Sequence, residues 1–413
     1  MKLFIVIVFS AFCLSAFAQN YDTNGVTVQT FVGSAFSGYL DGQGQQTMFN
    51  GPISVVADTY SNLFVFDYYN HAVRKVTPDG TVTSYCGGGT GSLPGYGTNV
   101  SLGLFVTMTM DRSNNLFLLG FPGEGLMVKI DTNGYASLIP LPALGGDNGS
   151  GGMCVDSLNN LYVSDSSANK IYRYKTNGVL EVFVGSGNQG AIDGNGIFTS
   201  FSTPQALTAD SADNIYVWDS GNNIVRKIAQ NKDVTTISGR KNIASDSDGV
   251  GTNATFFLVS SMCTDGFGNI YLACFGDSVR RISATTNVTT IAGSFNQRGY
   301  VNGIGSVARF DGGGDAGICF VGGTIFIADF SNQRIRQITF NPASQIVPAS
   351  NLSIGSYPGV KITGTVGRTY QIQSSPNMSA WTTETTVLLN STPFLWFDQS
   401  GAPKKFYRAV MLP

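Results

Sequence analysis

Short apolar runs of four to six residues recur along this chain, each stopped by Asp, Asn or Gly before a helical period can develop. Runs of this length with such stops predict short strands joined by tight turns. Aligned on one another, they resolve into a unit: apolar strand, Asp, short turn, Asn, apolar strand, Asp, two or three residues, Asn, then an apolar-basic strand. The first copy is ISVVADTYSNLFVFDYYNHAVRKV, Ile53 to Val76. Five more follow, from Met108, Gly152, Ala206, Ser261 and Gly317. Equivalent positions Asp67, Gly120, Asp165, Asp219, Cys274 and Asp329 lie 53, 45, 54, 55 and 55 residues apart.

Each of the first five copies is followed by a fourth strand pattern, such as Val82 to Tyr85 or Val234 to Ser238. Four strands and a glycine-rich connection per unit predict a propeller blade, and no helix-period segment is present to build a βαβ alternative. The sixth copy runs into Asn341-Pro342 without its fourth strand, while an unpartnered strand, Val26 to Val32, stands near the N-terminus. Pairing the two ends in one blade closes the ring and removes the exposed edges of an open array. The expected fold is all-β: a six-bladed β-propeller closed by its N-terminal strand, then a small β-sandwich.

The units resemble NHL repeats. The residues that carry the likeness are Asp67-x-x-Asn70-His71-x-Val73-Arg74, Asp219-x-x-Asn222-Asn223-Ile224-Val225-Arg226 and Asp329-x-x-Asn332-Gln333-Arg334-Ile335-Arg336. The linkers Asp41-Gly42-Gln43-Gly44, Asp193-Gly194-Asn195-Gly196 and Asp248-Gly249-Val250-Gly251, each followed shortly by Phe, resemble that family's DGxG turn. Blade 2 departs most, with Gly120 for Asp and Gly123-Glu124-Gly125 for the Asn turn, and blade 5 has Cys274 for Asp.

The ends of the chain read differently. Met1-Lys2, an apolar run to Phe17 and the small-residue pattern Ala16-Phe17-Ala18 predict a secretory signal over residues 1–18, too short to span a bilayer. The propeller is expected over 19–342, a linker over 343–350 and the sandwich over 351–413. Tyr370 to Ser375, Trp381-Thr382 and Phe406 to Val410 resemble a C-terminal module of large secreted bacterial proteins. The expected destination is the exterior, the periplasm or the cell surface.

Composition supports this picture and narrows function. The 413 residues include 51 Gly, 12% charged residues and a net charge of -2. That balance offers no clustered cation for releasing counterions from nucleic acid. Past Cys13, inside the signal, five cysteines remain without CxxC spacing, so neither a zinc cluster nor a disulfide framework is expected; Cys154 and Cys263 stand where blade 1 has Val56, as small buried hydrophobes. The single His, His71, leaves no triad or three-His zinc site to assemble. Asp246-x-Asp248-Gly249-x-Gly251 lacks the bidentate Glu of a calcium loop.

Strands alternate in direction, so the loop leading into a blade and the loop between its second and third strands are expected on one face. That face would carry Tyr68, Tyr69, His71, Tyr96, Arg298 and Tyr300, with Trp218 close below. Tyr and Arg supply rigid contact area and hydrogen bonds together. The expectation is an exported non-enzymatic binding or scaffold protein, without cofactor, taking a protein or carbohydrate ligand there. The alternative is a gluconolactonase-type hydrolase holding Ca or Zn at the channel mouth, for which Glu124 is the acidic candidate.

Overall fold

The computed structural model describes residues 25–120, 126–140, 151–313 and 316–340, and in the tail 359–362, 368–375, 381–388, 394–397 and 406–411. The signal at 1–18, Glu124 and the linker at 343–350 lie outside them.

Six antiparallel sheets form the six blades of a propeller. Blade 1 runs from its innermost strand Pro52–Ala57 through Leu63–Asp67 and Ala72–Val76 to Thr81–Gly87. Blades 2 to 5 repeat the order, starting at Phe105–Met110, Met153–Val155, Pro204–Ala209 and Val259–Thr264. Blade 6 contains Ile318–Val321, Thr324–Asp329 and Arg334–Phe340, and its fourth strand is Val26–Val32 from the other end of the sequence. The closing register runs from Val26 opposite Phe340 to Val32 opposite Ile335. Closure follows from the cost of leaving the edge of Arg334–Phe340 unpaired.

Both faces of every blade are apolar because each packs on a neighbour. Tyr271 of blade 5 stacks on Phe320 of blade 6 at 5.7 Å, and Phe66 of blade 1 meets Phe105 of blade 2 edge-on at 5.8 Å. Burying one such side chain stabilises the fold by about 1.5–3 kcal/mol. All five described cysteines are free thiols buried in this packing. Burial pushes the Cys86 thiol up to about 11 and Cys319 to about 12, so neither forms a thiolate near neutrality.

One feature differs from expectation. The DGxG segments are not loops of the face that carries the Asp-x-x-Asn turns; they run down the outside of the ring as a fifth strand. Gly42–Gln43, Gly194–Asn195 and Gly249–Val250 pair with the outermost strands of blades 1, 4 and 5, and the equivalent Gly95–Tyr96 (after Pro94) and Gly303–Ile304 (after Asn302) do so in blades 2 and 6. Gly42 lies opposite Val82, and the Gly44 N–H donates to Gly80 O at 2.9 Å, at the far end of the blade. Gly44 needs a φ of 57°, which glycine adopts without strain. Pairing there saturates an edge that a face loop would leave open.

The tail forms two small antiparallel sheets, Gly359–Ile362 with Phe394–Phe397, and Thr369–Ser375 between Thr382–Leu388 and Phe406–Met411. Tyr370 and Ile372 are buried there. No helix among the described residues is long and apolar enough to cross a membrane.

Candidate functional site

The turn between the second and third strands of a blade is shaped by a buried ionic latch. In blade 1, Asp67 accepts the Asn50 N–H at 2.6 Å, Asn70 Nδ2 at 2.7 Å and an Arg74 guanidinium nitrogen at 2.9 Å. Another Arg74 nitrogen reaches Asp41 at 2.6 Å, so one guanidinium ties the turn to the incoming linker. The Phe that follows each DGxG segment stacks on this arginine, Phe49 at 5.2 Å from Arg74 and Phe201 at 5.0 Å from Arg226. Blade 4 repeats the latch with Asp219, Arg226 and Asp193, and blade 6 with Asp329, Arg336 and Asn302.

Blade 5 rebuilds the latch differently. Cys274 occupies the turn position, and Arg280 pairs instead with two linker carboxylates, Asp246 and Asp248, each at 3.0 Å. Burial raises the Asp67, Asp219, Asp246 and Asp329 carboxyls above their usual range, Asp219 to about 6, against the arginines and hydrogen bonds that pull them down. These acids hold loops in place.

In blades 1, 4 and 6 the latch fixes the residue that follows its turn aspartate. In blade 1 this places Tyr68, half-buried against blade 2, and Tyr69, which is 55% exposed. Their rings meet at 5.0 Å, and Phe330 of blade 6 lies 5.9 Å from Tyr69 and 6.4 Å from Tyr68. The trio sits over Gly51, where a Cβ would stand 2.8 Å from both Phe330 and Tyr69. Gly51 leads into Ile53 at the wall of the central channel.

Of the expected site residues, Tyr68, Tyr69 and Arg298 share this upper face. Arg298 lies over the Phe275 ring at 4.4 Å and 3.7 Å from Asp311. His71 is exposed at the end of the blade 1 turn, in the left-handed region at φ 49°. Three equivalent residues bridge to the next blade: Gln333 accepts the Gly51 N–H at 2.7 Å, Asn169 the Thr203 N–H at 2.9 Å, and Asn223 donates to Phe257 O at 3.4 Å. Tyr96 and Tyr300 are not brought to the trio. Tyr96 belongs to the outer fifth strand of blade 2 and packs on Tyr135 at 4.7 Å. Tyr300 is on the outer wall of blade 6, bonded to Thr30 at 2.7 Å and lying over Arg336 at 4.9 Å. Trp218 is fully buried.

Phe330 and Phe275 were missed by the sequence reading, yet a signal was present. The residue following the latch position is Tyr68, Phe121, Ser166, Ser220, Phe275 and Phe330 in blades 1 to 6. Phe121 lies outside the described residues.

The central channel has a volume of about 480 Å³ and is walled by the innermost strands. Its described lining, including Ser54, Thr107, Gln205, Thr208, Ser261 and Thr264, contains no charged side chain and no histidine. No cluster of three His, Cys, Asp or Glu able to hold a metal occurs among the described residues. The described arrangement can stack and hydrogen-bond a ligand.

No protein-family model matches the chain, and no curated protein matches its sequence. Solved structures do share its fold. A protein of unknown function from Bacteroides thetaiotaomicron is similar at a TM-score of 0.60, with 20% identity over 76% of each chain. An auxiliary nutrient binding protein from the same organism gives 0.59, with 16% identity over 76% of each chain. A second auxiliary nutrient binding protein, from Bacteroides ovatus, gives 0.57 and 16% identity over 78% of this chain and 77% of that one.

Proposed function

We propose that this six-bladed propeller is an exported, non-enzymatic binding protein that takes its ligand on the upper face, where the Asp-x-x-Asn turns surround the channel mouth. One observation carries the reading: Tyr69 stands 55% exposed in a cluster with Tyr68 and Phe330 on turns held rigid by buried latches. Exposed rings on a preorganised support are what a binding face requires, because little freedom is lost when the ligand arrives. The two auxiliary nutrient binding proteins among the structural neighbours fit this reading. Export rests on the signal pattern of residues 1–18, and the tail serves as spacer or docking unit.

The test is a screen of the mature chain against glycan and protein arrays, repeated with Tyr69→Ala and Arg298→Ala. A ligand whose affinity falls about tenfold or more in these variants, at an unchanged thermal midpoint, supports the reading. A ligand held equally well by both variants overturns it. Stoichiometric Ca or Zn in the purified protein, lost with Glu124→Ala, favours the hydrolase alternative instead.

A further inference from the structure

The upper face has two chemically different sectors. In blades 5, 6 and 1 the residue after the latch position is aromatic (Phe275, Phe330, Tyr68), while in blades 3 and 4 it is Ser166 and Ser220. The aromatic sector is continuous. Phe275 packs on Phe257 at 5.1 Å, and the adjoining Gly276 accepts the Gly312 N–H at 2.7 Å. A Cβ on Gly276 would stand 2.6 Å from Gly312, and one on Gly313 would stand 3.2 Å from the Phe330 ring. Glycine backbone therefore floors the stretch between Phe275 and Phe330, and Tyr69 and Tyr68 extend the row onto blade 1.

Resting on the binding-face reading, we infer that the ligand is a neutral oligosaccharide laid along this arc of blades 5, 6 and 1. Three features select that chemistry. A row of half-exposed rings along a shallow glycine floor matches a chain of pyranose rings, whose axial C–H faces are apolar and flat, better than it matches protein side chains, which need deep pockets. Besides Asp311, which faces Arg298, the exposed polar groups described beside the rings, Ser331, Asn296 and Gln297, are neutral hydrogen-bonders. Among the described residues, the exposed cation on the arc, Arg298, is opposed by Asp311 and stands over the Phe275 ring, where its N–H groups can donate to hydroxyls without a net charge awaiting an anion.

The experiment is calorimetric titration of the mature full chain with short neutral gluco-, manno-, galacto- and xylo-oligosaccharides, with uronate-containing oligosaccharides and with any protein hit from the array. The expected result is binding of a neutral oligosaccharide, weakened about tenfold or more by Tyr69→Leu and by Phe330→Leu, retained by Tyr69→Phe and unchanged by Ser220→Ala. Leucine keeps the apolar volume and the fold but removes the flat ring, so stacking and general hydrophobicity separate. Preference for the uronates, or neutral-sugar binding indifferent to Tyr69→Leu and Phe330→Leu, overturns the inference. A protein ligand lost with Tyr69→Ala overturns it too while leaving the binding-face reading standing; absence of any ligand on this face overturns both.

Discussion

Blades 1 and 2 are neighbours with the same strand order, yet the positions that make the latch in blade 1 are filled differently in blade 2. Blade 1 buries Arg74 between Asp67 and Asp41. In blade 2 the same three sites are Gly120, Val128 and the segment around Tyr96, and Val128 is packed in the apolar cluster shared with blade 1. Blade 3 likewise has Tyr172 in the arginine register. The parts are not lost together: blade 3 keeps its turn carboxylate, Asp165, buried and accepting the Ala168 N–H at 2.8 Å, with no arginine in that register. A buried arginine without a carboxylate would leave an uncompensated charge. In blades 2 and 3 Val128 and Tyr172 fill its place.

The largest expected effect tests the sheet that joins the two ends. Deleting residues 19–33 removes the strand beside latched Arg334–Phe340; cooperative unfolding should be lost, as read by circular dichroism through a denaturant series. A single transition at the wild-type midpoint would show that blade 6 does not depend on the N-terminal strand.

Next comes the latch itself. Arg226→Met leaves Asp219 buried without its partner and should destabilise by about 3–5 kcal/mol. Tyr172→Met, at the same register in blade 3, should cost less than about 1.5 kcal/mol. Equal losses in chemical denaturation would erase the distinction between the two kinds of blade.

Blade 5 offers a sharper form of the comparison, since its carboxylate comes from the linker. Asp246→Ala should cost about 2–3 kcal/mol. Adding Cys274→Asp restores the arrangement of blades 1 and 4 and should recover at least half of that loss, whereas Cys274→Asp alone crowds two buried acids and destabilises. A double-mutant cycle without coupling would disprove the substitution of one carboxylate for the other.

A smaller effect is expected from pH. The folded-state pKa of Asp219 is raised to about 6 by burial. Between roughly pH 4 and 6 the unfolded chain releases this proton while the folded chain retains it, so stability falls as pH rises through that window and is flat above it. Asp219→Asn should flatten its share of the slope; a slope that is unchanged in the variant, followed by thermal melts, assigns the dependence to other groups.

The smallest effect lies on the lower face, where Asn114 at φ 63° accepts the Thr59 N–H at 3.1 Å and joins blade 2 to blade 1. Asn114→Gly keeps the backbone conformation and removes the bridge, for about 0.5 kcal/mol. A larger loss would mean that the unlatched blade leans on these turn contacts more than on its core.

Much of this molecule is legible in the repeat. Spacing and turn residues specify six blades, and the missing fourth strand after Ile338 together with the spare strand at Val26–Val32 specifies closure. The latch is half visible: Asp, Asn and Arg recur at constant offsets, but that Phe49 and Phe201 exist to stack on Arg74 and Arg226 emerges only once the linker is seen against the blade. Tyr96 and Tyr300 were placed with Tyr68 because chain direction puts both linker ends on one face. The linker instead descends the outer edge to satisfy its hydrogen bonds, carrying Tyr96 with it. Phe330 escaped because repeat reading attends to positions that agree, and the chemistry of the face lies at the position that varies.

The sequence by itself determined the count of blades, their order and the way the ring is sealed, because strand length, turn chemistry and the hunger of open edges for partners are local properties of the chain. The tertiary structure alone decided which rings meet. Phe330 and Tyr69 are 261 residues apart in sequence and 5.9 Å apart in space, brought together by a ring closure that makes the last blade the neighbour of the first.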